Sequence, residues 1–272
     1  MQHTLGRPFR VAGLGLRGGG AVAVEVRPAP VGAGRSFVVG GVAVPATVAH
    51  VLDTRLATTI GRDNTRIALV EHLCAALYAA GVDNAVIHVE GDELPVLDGS
   101  AHLWGVAIRQ AGVVPQGQPR RVHVVREPLE VRGDDGAWAR LEPADRFELD
   151  LTITFDHPCI GTQRYAGAAT GAGFFTELAW ARTFGFYKDA EHLRALGIAR
   201  GVSLDNTVVY DATGVMNPGG LRAGDEAMRH KALDAVGDLA LLGMAVRGRF
   251  TAYRAGHALH LALLRQVVER AE

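Results

Sequence analysis

GVVPQGQPRRV, residues 112–122, is the stretch on which the reading of this chain turns. Pro115 and Pro119 lack the N–H that a helix interior or a central strand requires, and Gly112 and Gly117 loosen the backbone around them. No regular element runs through such a segment, so it marks a boundary between two units. We set the division at residue 118, giving an N-terminal unit over 1–118 and a C-terminal unit over 119–272. A chain of 272 residues that is 48% hydrophobic has enough apolar mass for two cores.

Moving upstream from the boundary, residues 101–111 predict a helix, preceded by the loop GDELPVLDGSA and the strand AVIHVE. Before these, residues 65–80 carry Ile67, Val70, Leu73 and Leu77 at helical spacing and end at Gly81, a fitting left-handed C-cap. Residues 9–44 are short β-branched runs cut by glycine and predict strands joined by tight turns. Downstream the order begins again, with strands over 122–131, 137–142 and 147–155. Helices follow, the second of them over 225–242 and ending at Gly243. Strands first and helices later in both halves predicts an α+β protein and suggests an internal duplication. ARTFGFYKDAEHLRALGIARGVSLDN, residues 181–206, reads as an insertion with a short helix of its own.

Twenty-eight basic residues against 29 acidic ones leave a net charge of −1, which argues against nucleic acid or an anionic membrane as the main partner. Any anion is then met by local charge. The first residues, MQHTLGRPFRV, lack the apolar core of a secretory signal, and no run approaches the roughly eighteen uncharged residues of a spanning helix. A soluble, cytoplasmic protein is expected. Cys74 and Cys159 have no paired spacing that would suggest a disulfide or a zinc knuckle and read as reduced thiols. Nothing in the sequence points to a protein partner or an oligomeric state.

Candidate chemistry starts on the helix over 225–242. His230, Asp234 and Asp238 follow one another at intervals of four and project from nearly one face. A His and an Asp one turn apart can both reach one metal ion, and N and O ligands of this kind suit Zn²⁺, with Fe²⁺ as an alternative. Taken alone, the spacing also fits a solvated polar face. On the earlier helix Glu71 precedes His72; adjacent helical residues diverge by about 100°, so a metal-bound His72 would leave Glu71 pointing beside the metal. A buried His next to a surface Glu fits as well. In RAGHAL, His257 follows a glycine where a strand gives way to a helix; a facing Asp238 would keep its imidazole protonated, ready to act as an acid. A plain helix N-terminus is the alternative. The other histidines, His260 among them, show no comparable neighbours and read as ordinary.

VEHLCAALYAAGVDN, LPVLDGSA, ARTFGFYKD, NPGGLRAGDEAMRHKALDAVGDLALLG and FTAYRAGHAL together resemble the UDP-3-O-acyl-N-acetylglucosamine deacetylases of lipid A synthesis, in the same order and over nearly the whole chain. The resemblance implies two similar domains, each a small β-sheet with two helices, packed as a β-α-α-β sandwich. It implies Zn²⁺ held by His72, His230 and Asp234, with Glu71 as general base and Lys231, Asp238 and His257 as the remaining charged active-site residues. Thr183 matches a hydroxyl that assists the metal, and Phe184 and Phe186 match the wall of a passage for the fatty acyl chain. The implied substrate is a small UDP-linked acylated amino sugar whose acetamide is hydrolysed, and Lys231 would meet its phosphate.

Three positions depart from the family pattern. Arg17 in GLGLRGGG stands where a histidine is usual, Val202 stands in what is commonly GGS, and Leu69 replaces a small hydroxyl residue before VEH. None is among the implied metal ligands. A zinc deacylase of another amino-sugar conjugate and a non-catalytic paralogue that binds a lipid-linked sugar are the rival readings; retention of both Glu71 and His257 argues against the second, since a binding module needs neither a base nor an acid.

Overall fold

The computed structural model describes residues 1–270. In the N-terminal half, β1 (Phe9–Leu14), β2 (Ala21–Pro28), β3 (Arg35–Val39), β4 (Val42–Pro45) and β5 (Ala85–Glu90) form one sheet in the order β1-β2-β5-β3-β4. In the C-terminal half, β6 (Leu129–Arg132), β7 (Trp138–Glu142), β8 (Phe147–Phe155), β9 (Gly161–Ala168) and β10 (Ala245–Tyr253) repeat that plan as β6-β7-β10-β8-β9. Each half places its last strand between two hairpins. That strand runs antiparallel to the first hairpin and parallel to the second, in both sheets.

The helices keep the same correspondence. The N-terminal half contributes α1 (Glu71–Ala79) before β5 and α2 (His102–Ala111) after it. After α3 (Gly171–Glu177) and α4 (Tyr187–Ala195), the C-terminal half contributes α5 (Glu226–Leu239) before β10 and α6 (His257–Glu269) after it. The fold is α+β, a β-α-α-β sandwich in which each half supplies one sheet and two helices. A helix that is buried all round belongs in the middle of a layered protein. Every residue of α1 is buried, as is all of α5 apart from Arg229 and Lys231.

α1 and α5 cross in near backbone contact. A Cβ on Gly237 of α5 would lie 2.2 Å from the carbonyl oxygen of Glu71 on α1, so only hydrogen fits at the crossing. Two further contacts tie the halves together. Arg35 is buried and donates through Nη2 to the carbonyl of Ala240, 2.7 Å away just past α5, and through Nη1 to that of Val82 at 3.2 Å. Tyr78 on α1 accepts the backbone N–H of Val246 on β10 at its hydroxyl, 2.9 Å away.

Several elements differ from their sequence-based outlines. The helix expected over 65–80 begins only at Glu71; Thr65–Ile67 is a strand and Leu69 has φ 61°, a left-handed turn that ends the strand and redirects the chain. Gly81, at φ 78°, does terminate it. The strand expected over 122–131 is two: Val122–Val124 pairs in parallel with the start of β10, and Leu129–Arg132 is β6 in the hairpin with β7. β9 is a strand that the sequence reading did not identify. The helix expected over 225–242 ends its α-helical turns at Leu239 and tightens into a 3₁₀ turn before Gly243, which has φ 75°.

Gly237→Ala tests the crossing. At an open helical site the change stabilises by about 0.5–1 kcal/mol; here overpacking should reverse the sign and destabilise by about 1–3 kcal/mol. The denaturant midpoint of the variant measures which holds.

Candidate active site

The left-handed Leu69 turns the chain so that Glu71 and His72 open α1 against α5. On α5, His230 and Asp234 stand one turn apart, and the three side chains converge. His230 Nε2 is 3.3 Å and His72 Nε2 is 3.7 Å from Asp234 Oδ1, and the two imidazoles meet edge to face with centroids 5.1 Å apart. All three residues are buried. His230 donates its Nδ1–H to the carbonyl of Ala181, 3.0 Å away, which turns the lone pair of Nε2 toward the cluster. Burial and the neighbouring His230 push the His72 imidazole down to about 3, and burial lowers His230 too, so both rings are neutral near pH 7.

Asp234 holds the electrostatic key. Burial works against its charge, but His230, Lys231, His257 and His72 together keep the carboxyl well below the usual range. Lys231 Nζ donates to Oδ2 at 2.9 Å, whereas Oδ1 is buried and accepts no hydrogen bond. An orphaned carboxylate oxygen facing two imidazole lone pairs is unfavourable unless a cation lies among them. The donor set, two neutral imidazoles and one carboxylate, fits a borderline divalent metal such as Zn²⁺ and supplies the three protein ligands of an open catalytic site.

Behind this cluster lies a second one centred on Asp238, which has no exposed surface. Its Oδ1 accepts from the Thr58 hydroxyl at 2.6 Å, and its Oδ2 faces His257 Nδ1 at 2.7 Å and His260 Nδ1 at 2.8 Å. His257 sits at the first turn of α6, its Nε2 3.9 Å from Asp234 Oδ2. Burial alone would lower the His257 imidazole, but the charge and hydrogen bond of Asp238 raise it to about 9. Glu71 Oε2 accepts the backbone N–H of Thr58 at 3.1 Å. Burial lifts its carboxyl to about 8, opposed by His257 and helped by Asp234 and Asp238. Both groups thus hold protons near pH 7 in the absence of a cation; a divalent metal among His72, His230 and Asp234 would favour the Glu71 carboxylate, leaving a proton acceptor at Glu71 and a proton donor at His257.

The cluster opens into a cleft of about 600 Å³ whose wall includes Thr183, Phe184, Phe186 and Lys231. Thr183 is held by its N–H to the carbonyl of Gly99, 2.7 Å away, and immediately precedes the short strand Phe184–Phe186, which pairs in parallel with Val208–Tyr210. Phe184 and Phe186 also line an adjoining apolar cavity of about 130 Å³, closed by Leu193 of α4, Ile198 and Val202. Nine of the ten residues singled out for chemistry or substrate contact border one cleft, and the tenth, Asp238, supports it from behind.

Sequence reading missed four participants. His260, which the sequence presents as ordinary, shares Asp238 Oδ2 with His257; its place three residues after His257 on one helix face is the available signal. Thr58 carried no signal, because its contacts to Asp238 and Glu71 arise only from the folded path of the chain. Arg182 and Glu226 form a buried ion pair in which Glu226 accepts the backbone N–H, Nε and Nη2 of Arg182 and also the N–H of Arg222. This pair fixes the segment that carries both the Ala181 carbonyl on His230 and the Thr183 side chain.

Of the departures, Leu69 lines the main cleft and Val202 the apolar cavity. The backbone N–H groups of Arg17 and Gly18 both donate to Glu93 at 2.8 Å, and Arg17 Nη1 lies 3.4 Å from the Thr59 hydroxyl, one residue beyond Thr58.

A buried set of two histidines and a carboxylate, flanked by a carboxyl and an imidazole and opening on a partly apolar cleft, has the parts of a metal-assisted hydrolase. The chain belongs to the LpxC family, UDP-3-O-acyl N-acetylglycosamine deacetylase, whose family model matches residues 2–269. Proteins named UDP-3-O-acyl-N-acetylglucosamine deacetylase from Myxococcus xanthus (strain DK1622) and Anaeromyxobacter sp. (strain Fw109-5) are each 44% identical to it, over 98% of this chain and 86% and 88% of their own lengths. The protein of that name from Wolinella succinogenes is 38% identical over 100% of this chain and 91% of its own.

Glu226→Ala should strand a buried guanidinium and cost about 3–5 kcal/mol. A fall in denaturant midpoint much smaller than this would show that Arg182 finds another partner.

Proposed function

We propose that the chain removes the acetyl group from a UDP-linked 3-O-acyl-N-acetylglucosamine by hydrolysis, in the cytoplasm, with one Zn²⁺ held by His72, His230 and Asp234. The observation that carries the metal assignment is the buried Asp234 Oδ1, which has no hydrogen-bond partner and faces the two imidazoles. A Zn²⁺ held by these three residues would supply Lewis-acid polarisation of the acetamide carbonyl and would acidify the attacking water.

The remaining chemistry belongs to the side chains. Glu71, with Oε2 fixed by the Thr58 N–H, takes the proton of the attacking water. Thr183 offers its hydroxyl to the oxygen on which negative charge develops. Asp238 accepts the Nδ1–H of the His257 imidazolium, so the Nε2–H faces the cleft and is given to the departing glucosamine nitrogen. Acetate and the free amine are the products. Lys231, partly buried and kept protonated by Asp234, is the local cation that meets substrate phosphate on a chain of nearly balanced charge.

Phe184 and Phe186 separate the reacting cleft from the apolar cavity, so a 3-O-acyl chain enters between them and α4. We take residues 1–118 and 119–272 as the two domains, which accords with the pairing of Val113–Pro115 to His3–Leu5 and of Val122–Val124 to β10. Both thiols, Cys74 and Cys159, are free, in keeping with a reducing compartment. Among the described residues no helix is long and apolar enough to cross a membrane.

The purified protein should contain about one zinc per chain. It should release acetate from UDP-3-O-acyl-N-acetylglucosamine and lose that activity to a chelator. Metal without release would redirect the search to another amino-sugar amide. Asp234→Ala should lose the metal, whereas His257→Ala should keep it and turn over about 10²–10⁴-fold more slowly. Equal metal loss in both variants, by elemental analysis, would contradict the separate roles.

A further inference from the structure

Asp238 Oδ2 is shared. Two imidazoles of α6 reach it from successive turns, His257 at 2.7 Å and His260 at 2.8 Å, both through Nδ1. His257 opens toward the cleft, but His260 does not line it; its ring is buried and packs edge-on against Phe250 of β10, centroids 5.4 Å apart. A buried histidine that touches neither the cleft nor the cluster of His72, His230 and Asp234, yet spends a hydrogen bond on the carboxylate that orients His257, acts on the reaction only through that carboxylate.

We propose that His260 is a positioning residue: it locks the plane and rotamer of Asp238 so that the protonated His257 ring keeps its Nδ1–H on Oδ2 and its Nε2–H stays aimed into the cleft. The inference rests on the acid role given to His257 above. A carboxylate at the end of a helical side chain has two torsions to fix. The Thr58 hydroxyl restrains only Oδ1, from a loop of the other half of the chain. His260 restrains Oδ2 from the same helix that carries His257, so the two donors on that oxygen are fixed relative to each other within one rigid element, and both belong to the same half of the chain as Asp238. Phe250 in turn fixes the His260 ring. Without His260, Oδ2 loses one of its two donors in a site closed to solvent, and the carboxylate can rotate about Cβ–Cγ with only Thr58 and His257 to hold it.

The test uses the zinc-loaded full-length protein and compares His260→Leu with His260→Asn, whose amide N–H₂ can donate to Asp238 as the imidazole does. H260L should keep its zinc and its KM and lose about tenfold in kcat, a part of the roughly 10²–10⁴-fold that a placed general acid contributes. H260N should recover kcat to within about threefold of the parent, a margin small against that same contribution. In ¹H NMR the downfield Nδ1–H resonance of His257, assigned through its loss in His257→Gln, should persist in H260N and shift or broaden in H260L. Parental kcat with an unmoved resonance in H260L would overturn the proposal, as would an H260N protein that melts like the parent but is as slow as H260L. If Leu prevents folding, His260→Met replaces it, its flexible side chain filling the same space without a donor. Should the parent protein release no acetate at all, the functional reading fails, and the resonance comparison still decides whether His260 holds the Asp238–His257 pair.

Discussion

The constraint on which the site depends is the contact between Gly237 and the backbone of Glu71, where two central helices from opposite halves cross with no side chain between them. The distance between α1 and α5 sets whether His72 can meet His230 and Asp234, and whether Glu71 comes to rest between that cluster and His257. A thicker crossing would leave each group intact and the constellation dissolved. The sheets on either side, the Arg35 bridge to the end of α5 and the Tyr78 bond to β10 all hold the same separation.

Around this crossing the electrostatics divide into two compartments. The front one collects lone pairs without protons: neutral His72 and His230 and the bare Oδ1 of Asp234. The rear one is saturated, with Asp238 accepting from Thr58, His257 and His260. A deficit of positive charge in front and a completed network behind are complementary states; the first invites a cation and the second keeps an imidazole charged. Lys231 and His257 face Asp234 across the boundary between them and prevent its free oxygen from being neutralised by a proton.

Much of this was readable in the linear chain, and the limits have physical causes. The spacing of His230, Asp234 and Asp238 is a property of one helix, so it survives in sequence; the adjacency of Glu71 and His72 does too. The strands-then-helices order of each half pointed to the α+β class, although the matching 1-2-5-3-4 strand order is a matter of pairing that no single segment encodes. The helix start at 71 was misjudged because Ile67 and Val70 fit a helical period, while the decisive feature, the positive φ of Leu69, is imposed by the turn toward α5 and not by leucine's own preference. Thr58 and the Arg182–Glu226 pair act across long sequence separations and leave no periodic trace.

The repeated topology has a consequence for how such a site can arise. Two identical halves meeting across the α1/α5 contact would have to offer the same residues from both helices, and so could present two bases or two ligand pairs but never one of each. Only when the halves are joined in one chain and vary independently can α1 specialise in Glu71 and His72 while α5 carries His230, Asp234 and Asp238. The asymmetry that a hydrolytic centre demands, a proton acceptor on one side and a proton donor on the other, is thus a freedom that covalent linkage of two similar folds provides and that symmetric association of separate copies forbids.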